Sequence, residues 1–232
     1  MPESKTKPDL GSVPLLGHDS CTACGLHRTR TNVVPGYGNL NARLIFVGEA
    51  PGKDEDESGR PFVGAAGHVL RSILLGMDID PALCFFTNVY HCRPPGNKVK
   101  ECTGSPCPNI WLPAELAKLK QRKVVIALGA TAADHFKLGN GRLMRDRVRM
   151  DDYRGQHPTG YWVVGAYHPS YINRLGLASG QRAANIALVS FVASMQRAMY
   201  YLSDLGYFLD DEPDEYATIP TEDAIVPSTE GE

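Results

Sequence analysis

The chain alternates short, continuously apolar runs with longer segments whose apolar residues recur at helical spacing. Four runs, at 44–47, 84–89, 124–128 and 161–166, are rich in β-branched and aromatic residues and are flanked by Gly or Pro. Their length and continuity predict strands buried on both faces of a parallel sheet rather than half-exposed hairpins. Segments near 65–75, 111–121, 131–137 and 181–202 are expected to be helical. In the last, Ala184, Ile186, Leu188, Val189, Phe191 and Val192 form a broad apolar face. Alternation with short connections predicts an α/β fold, a three-layer α/β/α sandwich around a central, mainly parallel four-stranded sheet.

At 232 residues the chain has room for one domain and a minor addition. The expected boundaries are a polar leader at 1–20, a domain at 21–205 and an acidic, Pro-punctuated tail at 206–232 that is expected to be disordered. Its 43% hydrophobic and 22% charged content is that of an ordinary globular chain. No run approaches the roughly 20 apolar residues of a membrane helix, and the first ten residues lack the apolar core of a secretory signal. The expected setting is therefore cytoplasmic, without a membrane partner, and the protein is expected to be a monomer. In that setting the six cysteines read as metal ligands or buried thiols rather than disulfides. The formal charge of −2 conceals an asymmetry. All 24 Lys and Arg precede residue 198 and ten of the 26 acids follow it, so residues 1–197 carry +8. A basic body suits a polyanionic partner.

The unusual residues fall just after the apolar runs. GEAPG at 48–52 follows the first, Asn88 closes the second, GAT at 129–131 follows the third and HPS at 168–170 follows the fourth. Open parallel sheets bind ligands outside the carboxyl ends of their strands, so these loops are expected to converge on one crevice. The loop at 48–67, GEAPGKDEDESGRPFVGAAG, has glycines for close approach and prolines for stiffness. Its Phe62 suits stacking on a planar base, although an aromatic is more often a core side chain. The acids at 54–57 read, on composition, as a solvated charge run. Asn88 presents a flat amide with one acceptor and two donors, matched to a pyrimidine edge, with turn formation as the alternative. His168 precedes a proline, which holds it extended at the strand end with its imidazole over the crevice. That position favours a catalytic role over a merely satisfied polar one.

Cys21 and Cys24 have ligand spacing, and Cys92, Cys102 and Cys107 share one Pro- and Gly-rich segment, CRPPGNKVKECTGSPC. Four thiolates from two distant segments suit either zinc or an iron–sulfur cluster, and spacing does not separate the two. Cys84, inside an expected strand, reads as a small buried hydrophobe.

Six motifs in order, GEAPG followed by ED, GRPFVGAAG, TNVYHCRPPGN, VIALGATA and HPS, resemble family 4 of the uracil-DNA glycosylases, the iron–sulfur class. The resemblance runs from about residue 21 to about 202. It implies hydrolysis of the N-glycosidic bond of uracil in DNA, single- or double-stranded, after the nucleotide is extruded from the stack. By position it implies that Phe62 stacks on uracil, that Asn88 bonds its edge and that His168 stabilises charge on its O2. Gly48, Ala50 and Asn97 match further substrate-binding positions. Glu49 matches the acid of the first motif, and Glu55 the acid thought to face the C5 side of the base. Where family 1 has an aspartate this chain has Ala50, so water activation is assigned to Glu49 or Glu55. The resemblance also implies a [4Fe–4S] cluster on Cys21, Cys24, Cys92 and a fourth cysteine, Cys107 in preference to Cys102 because it directly precedes the expected helix at Trp111. DNA contacts are expected from Arg145 and its neighbours Arg142, Arg147 and Arg149, from Arg174, and from a wedge of Tyr171 and Ile172.

Two rivals have distinguishing marks. The branch of the superfamily that traps itself covalently on DNA carries a KRRIH insert, which the segment YHCRPPGNKVKECTGSPC lacks. A DNA-docking member without catalysis has no need of the full set Glu49, Glu55, Phe62, Asn88 and His168.

Overall fold

A computed structural model describes residues 10–13, 15, 17–102, 104–138, 154–157, 160–178 and 180–203. The four apolar runs form β3 (Leu44–Gly48), β4 (Phe85–Asn88), β5 (Val124–Leu128) and β7 (Trp162–Ala166), which pair in parallel in the order β4-β3-β5-β7. Three short antiparallel strands extend this centre: β1 (Leu10–Gly11) and β2 (Tyr37–Asn39) beyond β4, and β6 (Arg154–Gln156) beyond β7. Among the described residues the sheet thus has seven strands. The expected four are its parallel core, and the added ones are two- or three-residue edges without an apolar run.

The strands are buried on both faces because helices cover both. Ile45, Val47, Phe85, Val125 and Val163 pack with Leu112 and Leu116 of α3 (Trp111–Lys118) and with Ala132 and Ala133 of α4 (Ala130–His135). Phe46, Phe86, Ile126 and Val164 pack with Leu70 and Leu74 of α2 (Ala65–Gly76). The same side takes Ile172 of α5 (Pro169–Ala178) and Phe191 and Met195 of α6 (Gly180–Leu202). A further short helix, α1 (Lys53–Ser58), lies inside the first loop. The acids at 54–57 are therefore helical, and two of them, Glu55 and Asp56, are buried rather than solvated. Tyr171, Ile172 and Arg174, expected on a loop, are helical too, because Pro169 suits the first position of a helix. Among the described residues no helix is long and apolar enough to cross a membrane.

A wholly buried polar chain crosses the α3 side. Gly36 N–H donates to Glu115 Oε1 at 2.7 Å and Thr87 Oγ1 donates to Glu115 Oε2 at 2.5 Å. His91 Nδ1 stands 2.8 Å from His18 Nε2, and His18 packs against Trp111. Burial drives His91 down to about 3 and Glu115 up to about 7, so at 3.9 Å a neutral imidazole faces a carboxyl that keeps its proton until pH rises through about 7. Because the folded pKa of Glu115 lies above the ordinary 4.5, the fold holds a proton that the unfolded chain has released. Its contribution to stability is full below 4.5 and is lost as pH rises through 7. Glu115→Gln keeps an acceptor for Gly36, reverses the Thr87 bond so that the amide donates to Oγ1, and does not titrate. Its melting temperature is expected to match wild type near pH 5 and exceed it at pH 8, by about 2–4 °C for each kcal/mol recovered. Equal melting at both values contradicts the burial argument.

Candidate active site

The parallel register sets Gly48 directly opposite Asn88, and β5 and β7 end beside them at Leu128 and Ala166. The connections after β3 and β5 leave towards opposite faces, which opens a crevice between them. Thr131 Oγ1 donates to Glu49 Oε2 across it.

Gly48 is the floor. A Cβ there would lie 2.5 Å from Asn88 Oδ1 and 2.7 Å from Phe62 Cζ, so only a glycine lets the amide and the ring approach the strand end together. Asn88 is 3% exposed. Phe62 packs on Phe86 on one side and faces His168 on the other, with ring centroids 6.3 Å apart and planes 25° from parallel. It serves both as a core side chain and as a wall of the crevice.

Phe62 adopts a left-handed backbone at φ 56°, which a bulky residue enters only when its surroundings compel it. Several contacts do so. Arg71 Nη1 donates to Phe62 O, and a Cβ on Gly67 would sit 1.7 Å from that same oxygen. Glu55 ties the ends of the loop: its Oε2 accepts from Gly52 N–H at 3.0 Å and its Oε1 from Gly64 N–H at 2.8 Å. Both oxygens of Glu55 are thus engaged by backbone, whereas Glu49 is half-buried and held through one oxygen by Thr131.

His168 Nδ1 accepts from Ser170 N–H at 3.2 Å and lies 2.8 Å from Ser170 Oγ, to which Arg174 Nη1 donates at 3.1 Å. A nitrogen that accepts a backbone N–H is unprotonated, so the single proton of the neutral ring sits on Nε2. Burial, and secondarily the charge of Arg174, pushes the imidazole down to about 4, which keeps it neutral at pH 7. Behind it Gly129 has φ 83°, which strains any other residue, and a Cβ there would crowd His168 Cβ at 3.1 Å. The site therefore offers a flat apolar wall, a buried amide and a fixed neutral N–H donor within one hollow.

Other expected site residues fall elsewhere. Ala50 is half-buried in the loop after β3. Asn97 stands exposed on a turn, its Oδ1 accepting from Arg93 Nε at 2.8 Å. Ile172, expected as half of a DNA wedge, is only 8% exposed and packs in the core, so it is no wedge. Tyr171 is 39% exposed and stacks on Tyr167. Arg174 is exposed, while Arg142, Arg145, Arg147 and Arg149 lie outside the described residues. Thr131, Ser170 and Asp56, which hold the loops, lie in segments marked by residue pattern but without a role assigned to them, and Arg71 was not marked.

Cys21 and Cys24 are half-buried, and Cys92, Cys102 and Cys107 are buried. Burial and neighbouring thiols push Cys92 up to about 11 and Cys102 to about 12, and burial raises Cys107. Cys107 is also raised by Cys24 and Cys21, and Cys92 by Cys107 and Cys24. Donors oppose the rise: Arg30 Nη1 reaches Cys92 Sγ at 3.2 Å, and Ser105 and the His91 backbone bond to Cys107. Clustered buried thiols with N–H donors aimed at sulfur are the chemistry of a site for a cationic metal group. Among the described residues no three His, Cys, Asp or Glu converge closely enough to hold a single ion.

The family model for the uracil DNA glycosylase superfamily matches residues 35–188. The type-4 uracil-DNA glycosylase of Thermotoga maritima is 41% identical over 171 residues, covering 73% of this chain and 86% of its own length. That of Archaeoglobus fulgidus is 42% identical over 166 residues, covering 66% and 78%. That of Pyrobaculum aerophilum is 34% identical over 176 residues, covering 73% and 87%. With the family model spanning β2 to β7 and every loop of the crevice, and with these relatives, the chain belongs to the uracil DNA glycosylase superfamily, to its type-4 family.

Proposed function

We propose that this protein removes uracil from DNA by hydrolysing its N-glycosidic bond and leaves an abasic site. The observation that carries the reading is the convergence of Phe62, Asn88 and His168 above Gly48. The base must leave the stack to reach them. Phe62 then stacks on the pyrimidine and Asn88 bonds its edge. As the bond breaks, negative charge grows on the departing base, and the Nε2–H of His168 donates to its O2. A preorganised donor of this kind acts where charge develops, so it lowers the barrier rather than merely binding the substrate. Glu49 orients the attacking water, since both oxygens of Glu55 are engaged by backbone. Glu55 instead sets the shape of the uracil loop. Arg174 and Tyr171, exposed beside His168, face the DNA inside the cell.

Cys21, Cys24, Cys92 and Cys107 suit a [4Fe–4S] cluster, with Cys102 as a neighbouring fifth thiol. The clustered thiols and their donors support it. When bound, the cluster staples the leader to the domain.

The test is to incubate the brown, iron-containing protein with a uracil-bearing oligonucleotide, treat with alkali and look for scission at the uracil. Scission is expected. Binding without scission favours a docking protein, and a protein–DNA band that survives a denaturing gel favours covalent trapping. A colourless preparation holding only zinc contradicts the cluster.

A further inference from the structure

We infer that Asp56 is a positioning residue which joins the cysteine-bearing segment to the uracil loop. This inference rests on the reading of the crevice given above. Asp56 is 3% exposed and lies on the inner side of α1. Its Oδ1 accepts from Thr31 N–H at 2.9 Å and Asn32 N–H at 3.2 Å, and its Oδ2 from Thr31 N–H at 3.1 Å. Asn32 returns the contact: its Nδ2 donates to Asp56 O at 2.7 Å and Glu57 O at 3.3 Å, carbonyls at the end of α1 that have no helical partner of their own.

The neighbours of this joint lead in two directions. Arg30, one residue before Thr31, donates to Cys92 Sγ, and its backbone N–H bonds to Leu26 O, two residues beyond Cys24. Glu55, one residue before Asp56, holds Gly52 and Gly64, the ends of the loop that keeps Phe62 in its left-handed backbone. A six-residue helix is too short to persist on its own. Its place is therefore set by these tertiary bonds, and Phe62 inherits its position from them. Asp56 touches neither base nor sulfur. It fixes the angle at which α1 presents Glu55.

The test compares Asp56→Ala, Asp56→Asn and Asn32→Ala with wild type in three measurements: kcat and KM on a uracil oligonucleotide, iron content, and hydrogen exchange at 59–64. Asp56→Ala is expected to lose on the order of 10- to 100-fold in kcat/KM, the scale of a misplacement near 1 Å. Iron content should stay full, and exchange should rise at Thr31 and Asn32, which lose their acceptor, and at 59–64, but not across the rest of the domain. Asp56→Asn keeps one acceptor for Thr31 and is expected to recover part of the loss. Should Asp56→Ala not fold, Asn32→Ala is expected to show the same local signature more weakly. Wild-type rates and exchange in the variants overturn the inference, as does exchange that rises evenly across the domain. If the wild-type protein itself releases no uracil, the crevice reading fails, and exchange at 59–64 still decides the joint.

Discussion

His168→Ala is expected to cut the single-turnover rate of uracil release by about 10²- to 10³-fold, the scale of removing one donor from a preorganised oxyanion site. Affinity for uracil-containing DNA should change far less, because the bond from Nε2 strengthens only as charge builds on the base. Ser170 N–H fixes the tautomer by donating to Nδ1, and burial keeps the ring neutral down to about pH 4. The contribution of His168 to the rate should therefore be level from pH 8 to near 5, with no inflection at the ordinary histidine value of 6.5. Stability follows the same shift with a definite sign. The unfolded chain takes up a proton below 6.5 that the fold refuses until about 4, so the stability linked to this ring is full above 6.5 and falls as pH drops towards 4. A rate that rises through pH 6.5 on a titration abolished by His168→Ala contradicts the neutral-donor account.

Gly48→Ala is expected to cost about 10²-fold in kcat/KM while the fold survives. The added methyl would meet Asn88 Oδ1 at 2.5 Å and Phe62 Cζ at 2.7 Å, so both groups proposed to face the base must move. Asn88 is buried at the end of β4 and has little room, while Phe62 is held by Arg71 and by the loop ends that Glu55 ties. A shift near 1 Å in either breaks stacking or edge pairing, and the loss should appear in kcat as well as KM because a displaced base is also misaligned for bond cleavage. Gly59→Ala serves as the control. Gly59 has positive φ, unlike Gly48, and nothing lies within 4 Å of its Cβ, so it tests backbone strain in the same loop without the steric invasion expected at Gly48. Wild-type kcat/KM in Gly48→Ala would mean that the base sits elsewhere.

The legible parts of the fold were those in which hydrophobicity is continuous. β3, β4, β5 and β7 are buried on both faces and read directly as apolar runs. β1, β2 and β6 pair at the edges over two or three residues and leave no such trace. α1 was hidden for a different reason: its buried residues are Glu55 and Asp56, carboxylates satisfied by backbone N–H groups, so polarity pointed to solvent where partners permit burial. Ile172 was misjudged because the HPS segment read as a loop, whereas Pro169 starts a helix that turns Ile172 inward. The convergence of Gly48, Asn88 and His168 was legible because strand ends in a parallel sheet share one edge, and Phe62 reaches them from the loop between α1 and α2. Asn97 lies on a turn in left-handed backbone, where strand-end logic has no purchase.

A crystal structure of the protein with uracil and abasic DNA tests the central claim most directly. The account predicts the uracil ring parallel to Phe62, its edge on the Asn88 amide, and its O2 about 2.7–3.2 Å from His168 Nε2. Uracil lodged away from this hollow, or a His168 ring whose Nε2 faces protein instead of base, contradicts it.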